Sequence, residues 1–258
     1  MMNAALGALG MEDWHYQLLP VPPERFAETV RALPEAGFVG ANVTIPHKQA
    51  ALQLADTATE AARAIGAANT LTFAADGAIA AENTDAPGFL AALAAIGVSP
   101  RGMSAQVLGA GGSARAVVWA LREGGAREVS VWNRTPERAA ALASDLGVRA
   151  VARPEVVELL VNCTSVGLES ESAGLRQSAT EPQGLNPLAV TFDQVGTYSY
   201  VVDLVYRTSP TPLLAAAQAQ GVRTVDGLEI LLAQGALSFE LWTGMQPPLD
   251  VMRDALRD

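Results

Sequence analysis

The stretch QVLGAGGSA, residues 106–114, predicts a β-strand that runs into a glycine-rich turn and then into a helix. It has the spacing G-x-G-x-x-G/A of dinucleotide-binding folds, with Gly109 and Gly111 as the first two glycines and Ala114 in the third position. Gly109 permits the tight turn, and Gly111 lets the backbone approach a pyrophosphate at the helix N-terminus. A plain glycine-rich turn is the alternative. The strand before it and the helix after it favour the cofactor interpretation.

The next predicted strand is followed by N-R-T-P-E-R at 133–138. An NAD-binding domain typically carries an acidic residue about 20 positions after the fingerprint. Here Arg134 and Arg138 lie in that region, and Thr135 and Pro136 are expected to cap and open the following helix. Two guanidinium groups at a helix N-terminus suit a phosphate monoester. The pattern favours NADP(H) over NAD(H), and two solvated surface arginines are the alternative.

Outward from these motifs, strand-like and helix-like stretches alternate, which predicts an α/β fold. The segment 169–198 is expected to be a long, partly irregular connection because it is rich in Ser, Gly, Pro and Gln. A turn is predicted at Asp76-Gly77. The predicted strands are 14–19, 37–44, 67–73, 78–82, 106–108 and 128–132, and the predicted helices include 22–33, 49–65 and 86–96.

Composition excludes several classes of function. The chain has 258 residues, of which 50% are hydrophobic and 17% charged, as expected for a globular protein. Its net charge of −10 argues against nucleic acid or an anionic membrane as the main partner. The single Cys163 excludes internal disulfides and thiolate zinc sites, and with only His15 and His47 no metal site is expected. Without a signal peptide or a spanning segment, the chain is predicted to be cytoplasmic.

A second stretch, N-V-T-I-P-H-K at 42–48, places an amide, a hydroxyl and an ammonium on one turn whose geometry Pro46 restricts. The segment N-T-D at 83–85 offers a carboxylate downstream. Lys48 and Asp85, brought together beside amides, could transfer a proton to or from a small polyol. A solvated surface lysine is the alternative for Lys48.

The chemistry of such a pair suits carbonyl reduction. Hydride that arrives at a carbonyl carbon leaves developing negative charge on the oxygen, which needs a donor nearby. The ammonium of Lys48 can donate a hydrogen bond and then a proton, and the neutral amine can accept one in the reverse direction. Two roles stay open: proton transfer by Lys48, or charge stabilisation by Lys48 with Asp85 orienting it.

Several segments resemble the shikimate dehydrogenase family, in the family's order and over nearly the whole chain. The resemblance implies NADPH-linked reversible reduction of 3-dehydroshikimate to shikimate, in aromatic amino acid biosynthesis. It also implies two α/β domains: a substrate domain with a mainly parallel mixed sheet (1–86 plus 229–258) and a Rossmann-type doubly wound NADP-binding domain (87–228). The matching segments are N-V-T-I-P-H-K at 42–48, G-A-A-N-T at 66–70, N-T-D at 83–85, G-A-G-G-S-A-R-A at 109–116, N-R-T at 133–135, N-C-T-S-V-G at 162–167 and D-L-V-Y at 203–206.

Carried over residue by residue, the resemblance makes Lys48 and Asp85 the catalytic pair. For Asn69 and Gln234, amides that tie loops together are the alternative. The implied substrate-binding residues are Asn42, Thr44, Asn69, Tyr206 and Gln234. The implied cofactor-binding residues are Gly109, Gly111, Gly112 and Ser113 at the pyrophosphate, Asn133, Arg134, Thr135 and Arg138 at the 2′-phosphate, and Thr164, Ser165 and Gly227 along the nicotinamide half.

Two features depart from the family. Its members usually begin with a strand and a serine-containing loop that binds the substrate carboxylate, whereas this chain begins M-M-N-A-A-L, which resembles the helix after that loop. A truncated form or a misplaced start, with weakened substrate binding, is therefore the expectation. Glu229 stands where the family commonly has a small residue near the nicotinamide, and its carboxylate would either disfavour the cofactor or point to solvent.

Two other functions stay open. One is a quinate/shikimate dehydrogenase of broader specificity or with a preference for NAD, and the other is a nucleotide-binding homologue with impaired catalysis. The expected partners are the small-molecule substrate and NADP(H), with neither nucleic acid nor membrane. The expected assembly is a monomer or a homodimer.

Overall fold

The computed structural model describes residues 1–168 and 184–257, which form two compact units. One unit comprises Met1–Phe89 and Leu231–Asp258, and the other comprises Leu90–Ile230. The predicted α/β class is confirmed. The predicted domain boundaries lie a few residues from these limits, and the assignment of a ligand to each domain stays a prediction. Within the described ranges, every helix is too short or too polar to bridge the hydrocarbon core of a bilayer.

The first unit contains a sheet of four strands in the order β1-β3-β4-β2. Elements are numbered along the chain, and α5 and α10 continue into the second unit. The strands are β1 (Gly40–Asn42), β2 (Thr57–Ala58), β3 (Thr70–Phe73) and β4 (Ile79–Glu82). The helices are α1 (Met2–Ala8), α2 (Phe26–Ala32), α3 (Lys48–Leu54), α4 (Glu60–Ile65), α5 (Asp85–Ala95), α10 (Gly227–Thr243) and α11 (Leu249–Arg257).

This sheet is mixed, as predicted, but two of its three pairings are antiparallel rather than parallel. β3 pairs antiparallel with both β1 and β4, and only the short β2 lies parallel to β4. The predicted turn at Asp76-Gly77 explains the antiparallel pairing of β3 with β4, because Gly77 has φ +85° and the Asp76 carboxylate accepts a bond from Ala78 N. Two adjacent strands that are joined by so short a turn run antiparallel.

Two other sequence predictions are wrong. The predicted strand 14–19 is not a strand, because the side chain of Asn3 occupies the backbone N–H and C=O of Tyr16 at 2.7 and 2.8 Å. The predicted helix 49–65 is interrupted by β2. Asp56 ends the first part by pairing with Ile79, and the Thr59 hydroxyl caps α4.

The second unit contains a sheet of six strands, and all of its pairings are parallel. Its order is β10-β9-β8-β5-β6-β7, so that counting from β5 gives the Rossmann order 3-2-1-4-5-6, and the predicted Rossmann-type fold is confirmed. The strands are β5 (Ser104–Leu108), β6 (Glu128–Trp132), β7 (Arg149–Ala150), β8 (Leu159–Asn162), β9 (Tyr200–Asp203) and β10 (Arg223–Val225). The helices that lie wholly in this unit are α6 (Gly112–Glu123), α7 (Pro136–Leu146), α8 (Phe192–Val195) and α9 (Pro212–Ala219).

The strand order places a ligand crevice. The order reverses between β5 and β8, and open α/β sheets bind ligands outside the carboxyl ends of their strands at such a point. Gly109 follows β5 there, and Thr164 follows β8. Of the predicted irregular connection 169–198, residues 169–183 lie outside the described residues, and the rest contains a short 3₁₀ turn and α8.

Close packing of an indole fixes the edge of the smaller sheet. Trp242 Nε1 donates a hydrogen bond to the carbonyl oxygen of Leu71 in β3 at 3.0 Å. This contact passes directly over Gly40, the first residue of β1. A Cβ at Gly40 would overlap Trp242 Nε1 and lie 2.5 Å from Leu71 O. β1 therefore begins at a glycine because the indole leaves no room for a side chain.

A buried carboxyl group ends β9. Asp203 is completely shielded from solvent and accepts hydrogen bonds from Asn162 Nδ2, Val205 N and Thr211 Oγ1 at 2.9, 3.0 and 2.6 Å. Burial raises the pKa of the Asp203 carboxyl to about 6, although these three donors act to lower it.

We expect Gly40→Ala to reduce the free energy of unfolding by about 1–3 kcal/mol, the usual cost of overpacking. The added methyl group must displace the indole and break its bond to Leu71. Gly7→Ala is the control, because a Cβ at Gly7 in α1 meets nothing within 4 Å. Urea denaturation of both variants measures the difference. Equal stability of the two variants would contradict the packing argument.

Asp203 also predicts a dependence of stability on pH. Its folded pKa of about 6 lies above the ordinary 3.8, so the stabilisation that it contributes is complete below about pH 4 and is lost as pH rises through 6. The shift of about two units corresponds to about 3 kcal/mol. The unfolding free energy of Asp203→Asn, relative to that of the unsubstituted chain, should therefore rise by about 2 kcal/mol between pH 4.5 and 7.5, the part of the shift that this range covers. A difference that does not change with pH in urea titrations would refute the assignment.

Candidate functional site

Lys48 and Asp85 form an ion pair in the first unit. Lys48 Nζ lies 2.6 Å from Asp85 Oδ2, and the two side chains are 11% and 14% exposed. Lys48 is therefore not a solvated surface lysine. The structure brings this predicted pair together, and the catalytic role of the pair stays a prediction.

Local hydrogen bonds and ring stacking fix Lys48 and Asp85 at the starts of their helices. Asp85 lies in the first turn of α5 because Asn83 Oδ1 caps that helix by accepting from Ala86 N at 3.1 Å. Lys48 opens α3 directly after His47. The imidazole of His47 bonds to Val21 O through Nε2 at 2.8 Å and stacks on Phe26 with ring centroids 4.4 Å apart. His47 thus ties the lysine-bearing turn to the preceding segment.

Asn69 organises the polar groups around the ion pair. Its amide Nδ2 lies within hydrogen-bond distance of Thr84 Oγ1, Asp85 Oδ1 and Gln234 Oε1, at 2.9, 3.0 and 3.1 Å. Its Oδ1 accepts from Thr84 N at 2.7 Å. Asp85 is thereby held at both oxygens, one by Lys48 and the other by Asn69. Asn69 and Gln234 do tie segments together, as the alternative for them proposed, and they do so beside the ion pair.

A second set of hydrogen bonds fixes the amide of Asn42. Nδ2 donates to Ser238 Oγ at 2.9 Å and to Thr70 Oγ1 at 3.2 Å, while Oδ1 accepts from the Tyr16 hydroxyl at 3.1 Å. Burial raises the pKa of the Tyr16 phenol, which keeps it a donor. By contrast, Thr44 is exposed, and among the described residues its hydroxyl bonds to no other protein group.

Sequence analysis missed four members of this network: Tyr16, Thr70, Thr84 and Ser238. Thr70 and Thr84 stand inside the quoted motifs G-A-A-N-T and N-T-D. Ser238 lies one turn after Gln234 on α10, a spacing that puts both on one helix face. Tyr16 left no signal, because the surrounding segment reads as a strand.

A close approach of two helices places Gln234. A Cβ at Gly88 in α5 would lie 2.8 Å from the backbone N and the Cβ of Gln234 in α10. A larger residue at Gly88 would push α10 away from the Asn69 amide. The glycine therefore contributes to the site without carrying a functional group.

In the second unit, the glycine-rich turn lies against the end of β8. Gly109 has φ +111°, and a Cβ there would lie 3.0 Å from the carbonyl carbon and oxygen of Cys163. Gly111 is the N-cap of α6, a Cβ there would meet open space, and no side chain caps this helix. The turn thus leaves room for a pyrophosphate in front of the helix N-terminus and fits a dinucleotide. Gly112 and Ser113 form the first turn of α6.

The segment after β6 presents two exposed guanidinium groups. Arg134 and Arg138 are exposed, and none of the ion pairs between described residues includes either of them. Asn133 Nδ2 donates to Thr135 O at 2.9 Å and shapes the turn. Thr135 and Pro136 open α7 as predicted, but the Thr135 hydroxyl makes no capping bond, which corrects part of that prediction.

The carboxyl edge of β8 and β9 brings Thr164, Tyr206 and Gly227 into one region. Thr164 bonds to Asn162 Oδ1 through N and Oγ1, at 3.0 and 2.8 Å, and Ser165 follows it at the surface. Tyr206 is 50% exposed. A Cβ at Gly227 would lie 2.5 Å from Val205 C and O, so the start of α10 packs directly on the segment that carries Tyr206.

Glu229 lies in the first turn of α10 and is half-buried. Its backbone N–H donates to Asp226 Oδ1 at 3.0 Å. A carboxylate in the first turn of a helix is stabilised by the helix dipole, and the effect of Glu229 on the cofactor stays a prediction.

Three regions of the chain match families of known function. Residues 1–71 match the shikimate dehydrogenase substrate binding domain, residues 93–166 match the shikimate / quinate 5-dehydrogenase family, and residues 227–257 match the shikimate 5′-dehydrogenase C-terminal domain.

The comparisons with whole proteins cover most of the chain. It is 45% identical over 246 residues to the shikimate dehydrogenase (NADP(+)) of Paracoccus denitrificans, covering 92% of this chain and 82% of that relative. The structure of shikimate 5-dehydrogenase from Thermus thermophilus in complex with NADP(H) and shikimate is similar with a TM-score of 0.82 and 43% identity, over 99% of this chain and 92% of that one. The ligand-free 5-ketofructose reductase of Gluconobacter sp. strain CHM43 is similar with a TM-score of 0.79 and 30% identity, over 99% and 91%. The chain therefore belongs to the shikimate dehydrogenase family.

Proposed function

We propose that this chain catalyses the NADPH-dependent, reversible reduction of 3-dehydroshikimate to shikimate, a step in aromatic amino acid biosynthesis. The observation that carries the proposal is the shielded Lys48–Asp85 ion pair, held by Asn69 in a chain of this family. The T. thermophilus relative binds both NADP(H) and shikimate. A reducing compartment such as the cytoplasm suits a chain with one cysteine.

The proton step is assigned to Lys48. When bound, NADPH supplies a hydride for the carbonyl carbon of the substrate. The ammonium of Lys48 donates a hydrogen bond to the carbonyl oxygen and gives it a proton as negative charge develops there. The resulting neutral amine recovers a proton from solvent, and in the reverse direction it accepts the hydroxyl proton. Asp85 orients the ammonium through its 2.6 Å contact, and Asn69 keeps the carboxylate from turning away.

The substrate hydroxyls and carboxylate are assigned to the polar side chains that the family resemblance implies: Asn42, Thr44, Asn69, Tyr206 and Gln234. Asn42 suits this role because Tyr16 and Ser238 hold its amide in one orientation. An amide that is already fixed can bind a hydroxyl group without losing further conformational entropy on binding.

The cofactor is assigned to the second unit. Its pyrophosphate would bind to Gly109, Gly111, Gly112 and Ser113, and its 2′-phosphate to Asn133, Arg134, Thr135 and Arg138. The nicotinamide half would lie along Thr164, Ser165 and Gly227. The exposed guanidinium groups of Arg134 and Arg138 support NADP(H) over NAD(H), because a phosphate monoester pairs with such groups.

Substrate range separates this proposal from a broader activity. The Gluconobacter relative is a reductase of a different polyol ketone on the same fold. NADPH absorbance should therefore be followed with 3-dehydroshikimate and 5-ketofructose, and NADP+ reduction with shikimate and quinate. We expect the shikimate pair to give the highest kcat/KM. A higher value with quinate or 5-ketofructose would overturn the assignment of substrate.

We expect Lys48→Ala to lower kcat at least about 100-fold, the lower range for general acid–base catalysis, and to leave the Kd for NADPH unchanged. Lys48→Arg decides between the two roles, because arginine keeps the charge and the donors but does not release a proton at neutral pH. Activity of Lys48→Arg near that of the unsubstituted chain would show charge stabilisation without proton transfer. A Lys48→Ala variant with most of its kcat would refute the catalytic assignment altogether.

We also expect Arg134→Gln and Arg138→Gln each to raise the KM for NADPH by about tenfold, because a charge-assisted hydrogen bond contributes about 1.5–3 kcal/mol. The KM for NADH should not change, since NADH lacks the 2′-phosphate. Arg153→Gln is the matched control, because it removes an exposed arginine from the same unit. Equal effects on NADPH and NADH would place these arginines outside the 2′-phosphate site.

A further inference from the structure

Two buried polar side chains at the carboxyl edge of the six-stranded sheet have no ligand role in the proposed function. Asn162 ends β8 and Asp203 ends β9, and the register of these parallel strands sets the two residues opposite each other. Neither residue is exposed, and Asn162 Nδ2 donates to Asp203 Oδ1 at 2.9 Å. Apolar side chains could occupy these buried positions without hydrogen-bond partners, so stability alone does not require an amide and a carboxyl group here.

Each member of the pair holds the loop that follows its own strand. Asn162 Oδ1 accepts from both N and Oγ1 of Thr164, and Thr164 Oγ1 in turn accepts from Val166 N at 3.1 Å. Asp203 accepts from Val205 N through Oδ1 and from Thr211 Oγ1 through Oδ2. The pair therefore links the two loops directly after the last paired residues of β8 and β9.

Two glycines bring further backbone against the same loops. A Cβ at Gly109 would meet the backbone of Cys163 and Thr164, and a Cβ at Gly227 would meet that of Val205 and Tyr206. The glycine-rich turn, the Thr164 loop (residues 163–168), the Tyr206 loop (residues 204–211) and the start of α10 thus meet around Asn162 and Asp203. The arginine segment follows β6, on the other side of β5 from β8 and β9.

We infer that Asn162 and Asp203 are positioning residues, which set the nicotinamide end of the cofactor site by holding the Thr164 loop against the Tyr206 loop. This inference rests on the proposed function for the identity of the ligand. A fully satisfied buried network is rigid, and hydride transfer needs that rigidity. A displacement of about 1 Å at a reacting centre costs about 100-fold in rate.

The test uses Asn162→Ala and Asp203→Ala in the full chain, with three measurements: kcat, the Kd for NADPH and the Kd for 2′,5′-ADP. The last ligand contains the adenosine 2′-phosphate but no nicotinamide. We expect kcat to fall about 100-fold in both variants, while the Kd for 2′,5′-ADP stays within about twofold. The two losses should be less than additive in the double variant, because both substitutions break the shared bond between Asn162 and Asp203.

Two controls separate positioning from general loss of stability. Asp203→Asn should retain most of kcat, since its Oδ1 still accepts from Asn162 and Val205 and its amide can donate to Thr211. Gln106→Ala removes another fully buried amide from the same sheet. That amide bonds to Ser130 and to Glu155 N, outside the two loops. The Gln106→Ala substitution should lower the free energy of unfolding and leave kcat unchanged.

Either of two results would overturn the inference. The first is that both alanine variants have the same kcat and the same Kd for NADPH as the unsubstituted chain. The other is a loss of 2′,5′-ADP affinity in parallel with NADPH, which indicates a structural role alone. Failure of the proposed function is distinct from both, because the unsubstituted chain would then bind NADPH without turning over 3-dehydroshikimate. In that case the ratio of NADPH to 2′,5′-ADP affinity in the variants still decides the positioning role.

Discussion

The buried amide of Asn69 is the contact on which the first unit's polar site depends. Asp85 makes one hydrogen bond to Lys48 and one to this amide, and Gln234 reaches the same nitrogen from α10. A carboxylate and an ammonium that are nearly closed off from water gain from each other only when their remaining hydrogen-bonding positions are also filled. In the described part of the chain, every buried side-chain nitrogen and oxygen has a hydrogen-bond partner. The polar groups of the site are thus bonded to one another, and its geometry is correspondingly rigid.

The two units use the same construction at different places. In each, a buried asparagine beside one end of a strand bonds to a carboxylate and to a loop backbone N–H. Asn69 lies just before β3 and bonds to Asp85, and Asn162 ends β8 and bonds to Asp203. An amide suits this position because it donates to the carboxylate with one end and accepts from backbone N–H with the other. Thr84 N and Thr164 N occupy the accepting ends.

The Rossmann-type unit could be predicted well from the sequence, because its signals are local. The turn at Gly109 needs a positive φ, and Pro136 opens α7, so each residue type is dictated by the backbone around it. The pairing of Lys48 with Asp85 was also accessible, since both residues stand in short polar motifs. Other features depend on contacts that are distant in sequence. Residues 14–19 have the pattern of a strand, but Asn3 takes up the backbone groups of Tyr16. Gly40 gave no sign of its role, because the indole that requires it comes about 200 positions later in the chain.

The Lys48–Asp85 pair has a consequence for experiments in solution. Of the 17 Lys and Arg residues, Lys48 is the single lysine, and all the others are arginines. Apart from the chain's amino terminus, amine-selective reagents therefore have one target, which lies inside the site and is 11% exposed. A ¹³C label that is introduced by reductive methylation would report the ionisation of that nitrogen without any background from other lysines. Its protection by substrate or cofactor could be followed in the whole protein, with no substitution anywhere in the chain.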